Sequence, residues 1–148
     1  MASAPLRHHL DALGVSYEEL SSGALRVEAG TAAVYLDVEE IDGHQIISLV
    51  SPLLVEVNAT DDALRQLLEL NAQLRFGKFS WHADSRTVSV DYELLGDVVD
   101  AEEIDVALTA VSQIADTCDE RLLPLLGGRL AHGEPALADG EEPHAPTT

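Results

Sequence analysis

Residues 76–130 constrain the fold more than any other stretch, because their hydrophobic pattern changes period within one short segment. Phe79 and Trp81 alternate with Lys78, Ser80 and His82, which predicts a strand with one covered face. Ala83-Asp84-Ser85-Arg86 reads as a turn. Val88, Val90 and Tyr92 then alternate with Ser89, Asp91 and Glu93, completing an antiparallel hairpin. Asp100, with Glu103 three residues on, has the spacing of a capping box and predicts a helix start. The stripe that follows is Ile104, Ala107, Leu108, Val111, Ile114, Ala115, Cys118 and Leu122. Pro124 should distort this helix near its end, and Gly127-Gly128 should terminate it.

A second strand-rich block precedes it. Leu6, Leu10 and Leu13 form one stripe of a short helix, with Ser3 as cap, Pro5 in the first turn and Gly14 at the exit. Leu25, Val27 and Ala29 alternate with Arg26 and Glu28. Val34, Leu36 and Val38 alternate with Tyr35, Asp37 and Glu39. Asp42-Gly43 is a strong hairpin turn signal. The run QIISLVSPLLVEV is a strand in which Pro52 predicts a bulge, a bend or an edge. A further helix begins near Thr60, with Asp61 and Asp62 in its first turn. Leu64, Leu67, Leu68 and Leu74 face one way on it, and Gly77 marks the exit. Asn71 falls on or beside that apolar stripe, so its amide needs backbone partners, expected from the loop near Phe76-Gly77.

These patterns predict an α+β fold with a single five-stranded antiparallel sheet and three helices, in the order αβββαββα, over residues 1–130. Residues 131–148, AHGEPALADGEEPHAPTT, carry four acids and no basic residue and read as a disordered, Pro-rich tail. Aspartate and glutamate total 27 against 8 lysines and arginines, a net charge of −19. Without the tail 23 acids still face 8 bases, so the folded body is itself acidic. Such a surface repels phosphate backbones and anionic headgroups, arguing against nucleic-acid and membrane partners and in favour of basic ones. With one cysteine, Cys118, no intramolecular disulfide or multi-cysteine metal site can form. The N-terminal residues contain no long apolar run, from which a cytoplasmic protein is expected.

Motifs for chemistry are missing. Among the six histidines no i, i+4 pair and no HExxH spacing occurs, so no metal is expected. No G-x-S-x-G nucleophile elbow and no glycine-rich phosphate loop is present, and no cofactor is expected. The acidic pairs Glu39-Glu40, Asp61-Asp62 and Glu102-Glu103 fall in a turn or at helix starts, where solvation or capping explains them. The sequence therefore predicts no enzyme.

The order of elements, with Leu70-Asn71, then Gly77-Lys78-Phe79, then a D-x-x-x-V strand from Asp84 to Val88 and a long C-terminal helix, resembles the YbjN family and the CesT-like class I type III secretion chaperones. The resemblance covers about residues 3–127. It implies a small acidic homodimer holding an extended segment of a client protein, with no catalytic residues to carry over. It also implies a dimer contact at Leu64, Leu67, Leu68 and Leu74. The YbjN branch implies an alternative, a regulatory protein of the sensory type that binds a folded partner. An antiparallel sheet half covered by helices should leave apolar positions over. The richest set, Leu6, Leu10, Leu25, Val27, Val34 and Leu36, is the expected surface for a client peptide.

Overall fold

A computed structural model describes residues 4–117 and 121–131. The first helix, α1, spans Ala4–Leu13, and a two-residue strand, β1, Glu18–Glu19, follows. Next come β2 (Leu25–Ala29), β3 (Ala32–Ile41) and β4 (His44–Val55). Helix α2 (Asp61–Asn71) leads into β5 (Lys78–His82) and β6 (Thr87–Leu95). The long helix α3 (Ala101–Asp116), a one-turn helix α4 (Leu123–Leu126) and a two-residue strand β7 (Arg129–Leu130) complete the described chain.

The sheet is antiparallel throughout, in the order β1-β2-β3-β4-β6-β5, with β7 pairing β4 off this path. Its register follows from the turns. Asp42 and Gly43 both take positive φ, 52° and 82°, as the two-residue hairpin turn requires, and Ile41 pairs His44 across it. Pro52 has no N–H for the ladder, and the β4–β6 register shifts between Pro52 and Leu54. The shift lets consecutive Leu53 and Leu54 both bury completely, which a regular strand would not allow.

One face of the sheet carries the core. Leu25, Val27, Val34, Leu36, Leu49 and Val90 are buried there, with α3 laid across β2, β3, β4 and β6. Ile104, Ala107, Leu108, Val111 and Ala115 are the buried stripe of α3, at the spacing its sequence foretells. Helix α1 packs beside α3 and buries Leu6 and Leu10. Thr60 caps α2, its side chain accepting from the Ala63 amide, and Asp100 caps α3 by accepting from Glu103.

The expectation of five strands and three helices is corrected to seven and four among the described residues. Strands β1 and β7 are each one alternation long, too short to leave a periodic signal. The third predicted helix does not run to Gly127-Gly128 but ends at Asp116, capped by Thr117. Pro124 lacks the N–H that a continuing helix needs, and it sits instead in the first turn of α4. Ser3, Cys118 and the tail beyond Ala131 lie outside the described residues.

The C-terminal segment is fastened to the β4–α2 connection. Gly128 has φ 79°, and a Cβ there would stand 2.3 Å from the Val55 carbonyl oxygen, so only glycine fits. Arg129 then donates to both oxygens of Glu56 at 2.8 and 3.1 Å. Arg86 donates to the carbonyl oxygens of Val57 and Glu56 at 3.1 and 3.3 Å.

Candidate peptide-binding cleft

Helix α2 lies against β5, the outermost strand on its side of the sheet. Asn71 at its last turn makes that junction. Its amide nitrogen donates to the Phe79 carbonyl at 3.0 Å, and its amide oxygen accepts from the Phe79 N–H at 2.6 Å. The side chain thus satisfies the open edge of β5 as a neighbouring strand would. The backbone partner expected of Asn71 exists, but on β5 rather than in the loop before it.

Beyond Asn71 the chain must turn back into β5. Gly77 makes the turn with φ 80°, and a Cβ there would lie 3.2 Å from the Asp91 carbonyl oxygen and 3.8 Å from the Ile114 side chain. This close approach leaves a cleft of about 340 Å³ between the end of α2, β5 and the C-terminal half of α3. Leu70, Leu74 and Phe79 form one side, Ala110 and Ile114 the other, with buried Leu122 below. Phe76 stands at the mouth, 55% exposed, stacked on Tyr92 with ring centroids 6.1 Å apart. Burial, and then the Glu103 carboxylate, raise the Tyr92 hydroxyl above its ordinary pKa, so it stays neutral here. The rim is polar: Gln73, Gln113, Thr117, Arg75 and Arg121, with Arg121 donating to the Gln73 amide oxygen at 3.4 Å. An apolar trough of this size with hydrogen-bonding groups around it has the make-up of a site for non-covalent binding.

The six residues expected to meet a client lie elsewhere. Leu6, Leu10, Leu25, Val27, Val34 and Leu36 are all in the core at 0–2% exposure, so none presents its side chain to a partner. Their alternation marked a covered face, and the covering element is the chain's own pair of helices. The four leucines expected at a dimer contact are divided. Leu67 is buried in the core, Leu74 lines the cleft, Leu64 is half-buried, and Leu68 is 70% exposed.

The structure also gathers a polar cluster that the sequence did not reveal. Ser80 and Ser89 both donate to the Asp91 carboxylate, the latter at 2.7 Å, and His82 Nε2 lies 2.8 Å from Ser89 Oγ. The strand register places Ser80 opposite Ser89 and Lys78 opposite Asp91, so these side chains share one face of the hairpin. The order differs from a hydrolytic triad: here the carboxylate holds the serines, not the imidazole. Period-two alternation alone could have placed Ser89 and Asp91 on one face, but not His82 within reach of them. Among the described residues no helix is long and apolar enough to cross a membrane.

One sheet, a covering pair of helices and an apolar cleft at the sheet edge define a small α+β binding domain. The chain belongs to the family of peptide-binding chaperones that joins type III secretion proteins (YopN, CesT) with YbjN, and the family profile matches residues 7–134. No curated protein matches the sequence. Among solved structures, the chain is similar to one from the HopA1–SchA chaperone–effector complex at 9% identity, covering 80% of this chain and 93% of that one, with a TM-score of 0.62. It is similar to one from the ExsC–ExsE complex at 15% identity, covering 82% and 92%, with a TM-score of 0.61. It is also similar to YbjN from E. coli at 20% identity, covering 84% and 94%, with a TM-score of 0.58. At these identities the likeness is one of fold.

Proposed function

We propose that this protein holds a segment of another protein in the cleft between α2, β5 and α3, without catalysis. The observation that carries the reading is the cleft itself: an open apolar trough with an aromatic side chain, Phe76, left more than half exposed at its mouth. An aromatic side chain left this exposed beside a concave apolar surface is characteristic of interaction sites. Membership of a peptide-binding chaperone family and the shared fold of a chaperone–effector complex support the same reading. The likeness to YbjN favours a second reading, a regulatory protein that uses this surface on a folded partner.

The protein acts as a homodimer in this proposal, with the outer face of α2 at Leu64 and Leu68 as the contact. The partner of the cleft is a cytoplasmic protein and not nucleic acid or membrane, in keeping with the net charge of −19.

Capture of partners on the full-length protein and on a Leu74→Asp variant, followed by mass spectrometry, tests the proposal. A partner retained by the parent and lost from the variant supports it. If limited proteolysis of that partner shows the bound segment to be unstructured when free, the chaperone reading holds; a folded partner selects the regulatory one. Partners retained equally by both proteins would count against the cleft.

A further inference from the structure

The described residues that line the cleft differ in charge from the molecule as a whole. Of its eight lysines and arginines, four are matched to carboxylates: Arg7 with Glu19, Arg26 with Glu28, Lys78 with Glu93 and Arg129 with Glu56. Arg86 is held by backbone carbonyls. Among the described residues that leaves Arg65, Arg75 and Arg121 without an ion pair, and the last two stand on the rim of the cleft. None of the described residues lining it is acidic, although acids outnumber bases 27 to 8 in the chain. Arginine carries a planar fork of donors that matches a carboxylate, and an unmatched one on an acidic protein is a strong preference left open.

Resting on the cleft as the binding site, we infer that it selects segments in which an apolar anchor is flanked by aspartate or glutamate. The anchor lies against Leu74, Phe76 and Ile114, and the flanking carboxylates reach Arg75 and Arg121. Glu69 and Asp116 adjoin the lining residues Leu70 and Thr117, yet neither forms an ion pair with Arg75 or Arg121. At physiological salt the screening length is about 8 Å, so distant carboxylates are largely screened while the rim arginines act at contact. The expectation from overall charge alone, that partners are basic, is therefore reversed at this site.

Fluorescence anisotropy of the full-length protein tests the inference with two labelled short peptides, each with the same central leucines, one flanked by aspartates and one by serines. The aspartate-flanked peptide should bind about three- to tenfold more tightly, as expected for two exposed charge pairs. The preference should disappear in an Arg75→Gln/Arg121→Gln variant. Equal binding of both peptides, lost in Leu74→Asp, would overturn the charge preference and leave the cleft standing. No binding of either, or binding untouched by Leu74→Asp, would overturn both. The chain's own residues 132–148 supply four carboxylates. If neutralising them by Glu134→Gln, Asp139→Asn, Glu141→Gln and Glu142→Gln tightens binding of the acidic peptide, the preferred occupant is that segment, and the inference of an external partner fails.

Discussion

Asn71 spends both halves of its amide on the backbone of one residue, Phe79. Replacing it with alanine leaves a donor and an acceptor at the edge of β5 without their partner. Asn71→Ala should therefore lower stability by about 1–3 kcal/mol, read as a shift in the urea midpoint at unchanged slope. Asn71→Asp keeps the acceptor for the Phe79 N–H but sets a carboxylate oxygen against the Phe79 carbonyl oxygen, so it should not restore the lost stability. The sequence made Asn71 conspicuous because a polar side chain interrupts an apolar stripe, but it could not say which backbone groups answer it. Leu25 shows the complementary limit. Alternation told that Leu25 is covered, and it cannot distinguish a helix of the same chain from a client. Since Leu25 lies wholly in the core, Leu25→Ala should cost about 2–5 kcal/mol, a loss that no binding partner restores.

Elements with a strong local code were legible. The Asp42-Gly43 turn, the caps at Thr60 and Asp100 and the break in β4 at Pro52 are each set by chemistry within a few residues, and each stands where the sequence placed it. Strand β7 was not legible, because it is held by contacts distant in sequence: Gly128 against Val55 and Arg129 against Glu56. Gly128→Ala should destabilise by more than about 1 kcal/mol, since it forces both a positive φ and an overlap with backbone. The Arg129 pair gives this element a pH signature. Hydrogen bonding to Arg129, and then its charge, hold the Glu56 carboxyl below its ordinary pKa. A carboxyl with a depressed folded-state pKa adds stability above its unfolded value, about 4.3, and that contribution is lost as pH falls through the folded value. Urea midpoints of the parent and Arg129→Gln should therefore differ at pH 7 and converge in acid. A gap that persists or widens at low pH would contradict the role of this pair.

At the scale of the molecule, a cleft assembled from residues 70–79, 110–117 and 121–122 escapes any reading of one segment at a time. The fold class followed from periodicity, whereas the site depends on how the end of α2 is pinned to β5 and how closely Gly77 approaches α3. Light scattering at micromolar concentration should report twice the chain mass of 15.9 kDa, and Leu68→Glu should shift it toward the monomer. The central claim is that a partner segment lies in the cleft. Hydrogen–deuterium exchange of the full-length protein, with and without a captured partner, tests it most directly. Binding there should slow exchange in residues 70–79 and 110–117 and leave the β2–β3 hairpin unchanged. Protection confined to β2, β3 or α1, with the cleft segments exchanging as in the free protein, would contradict it.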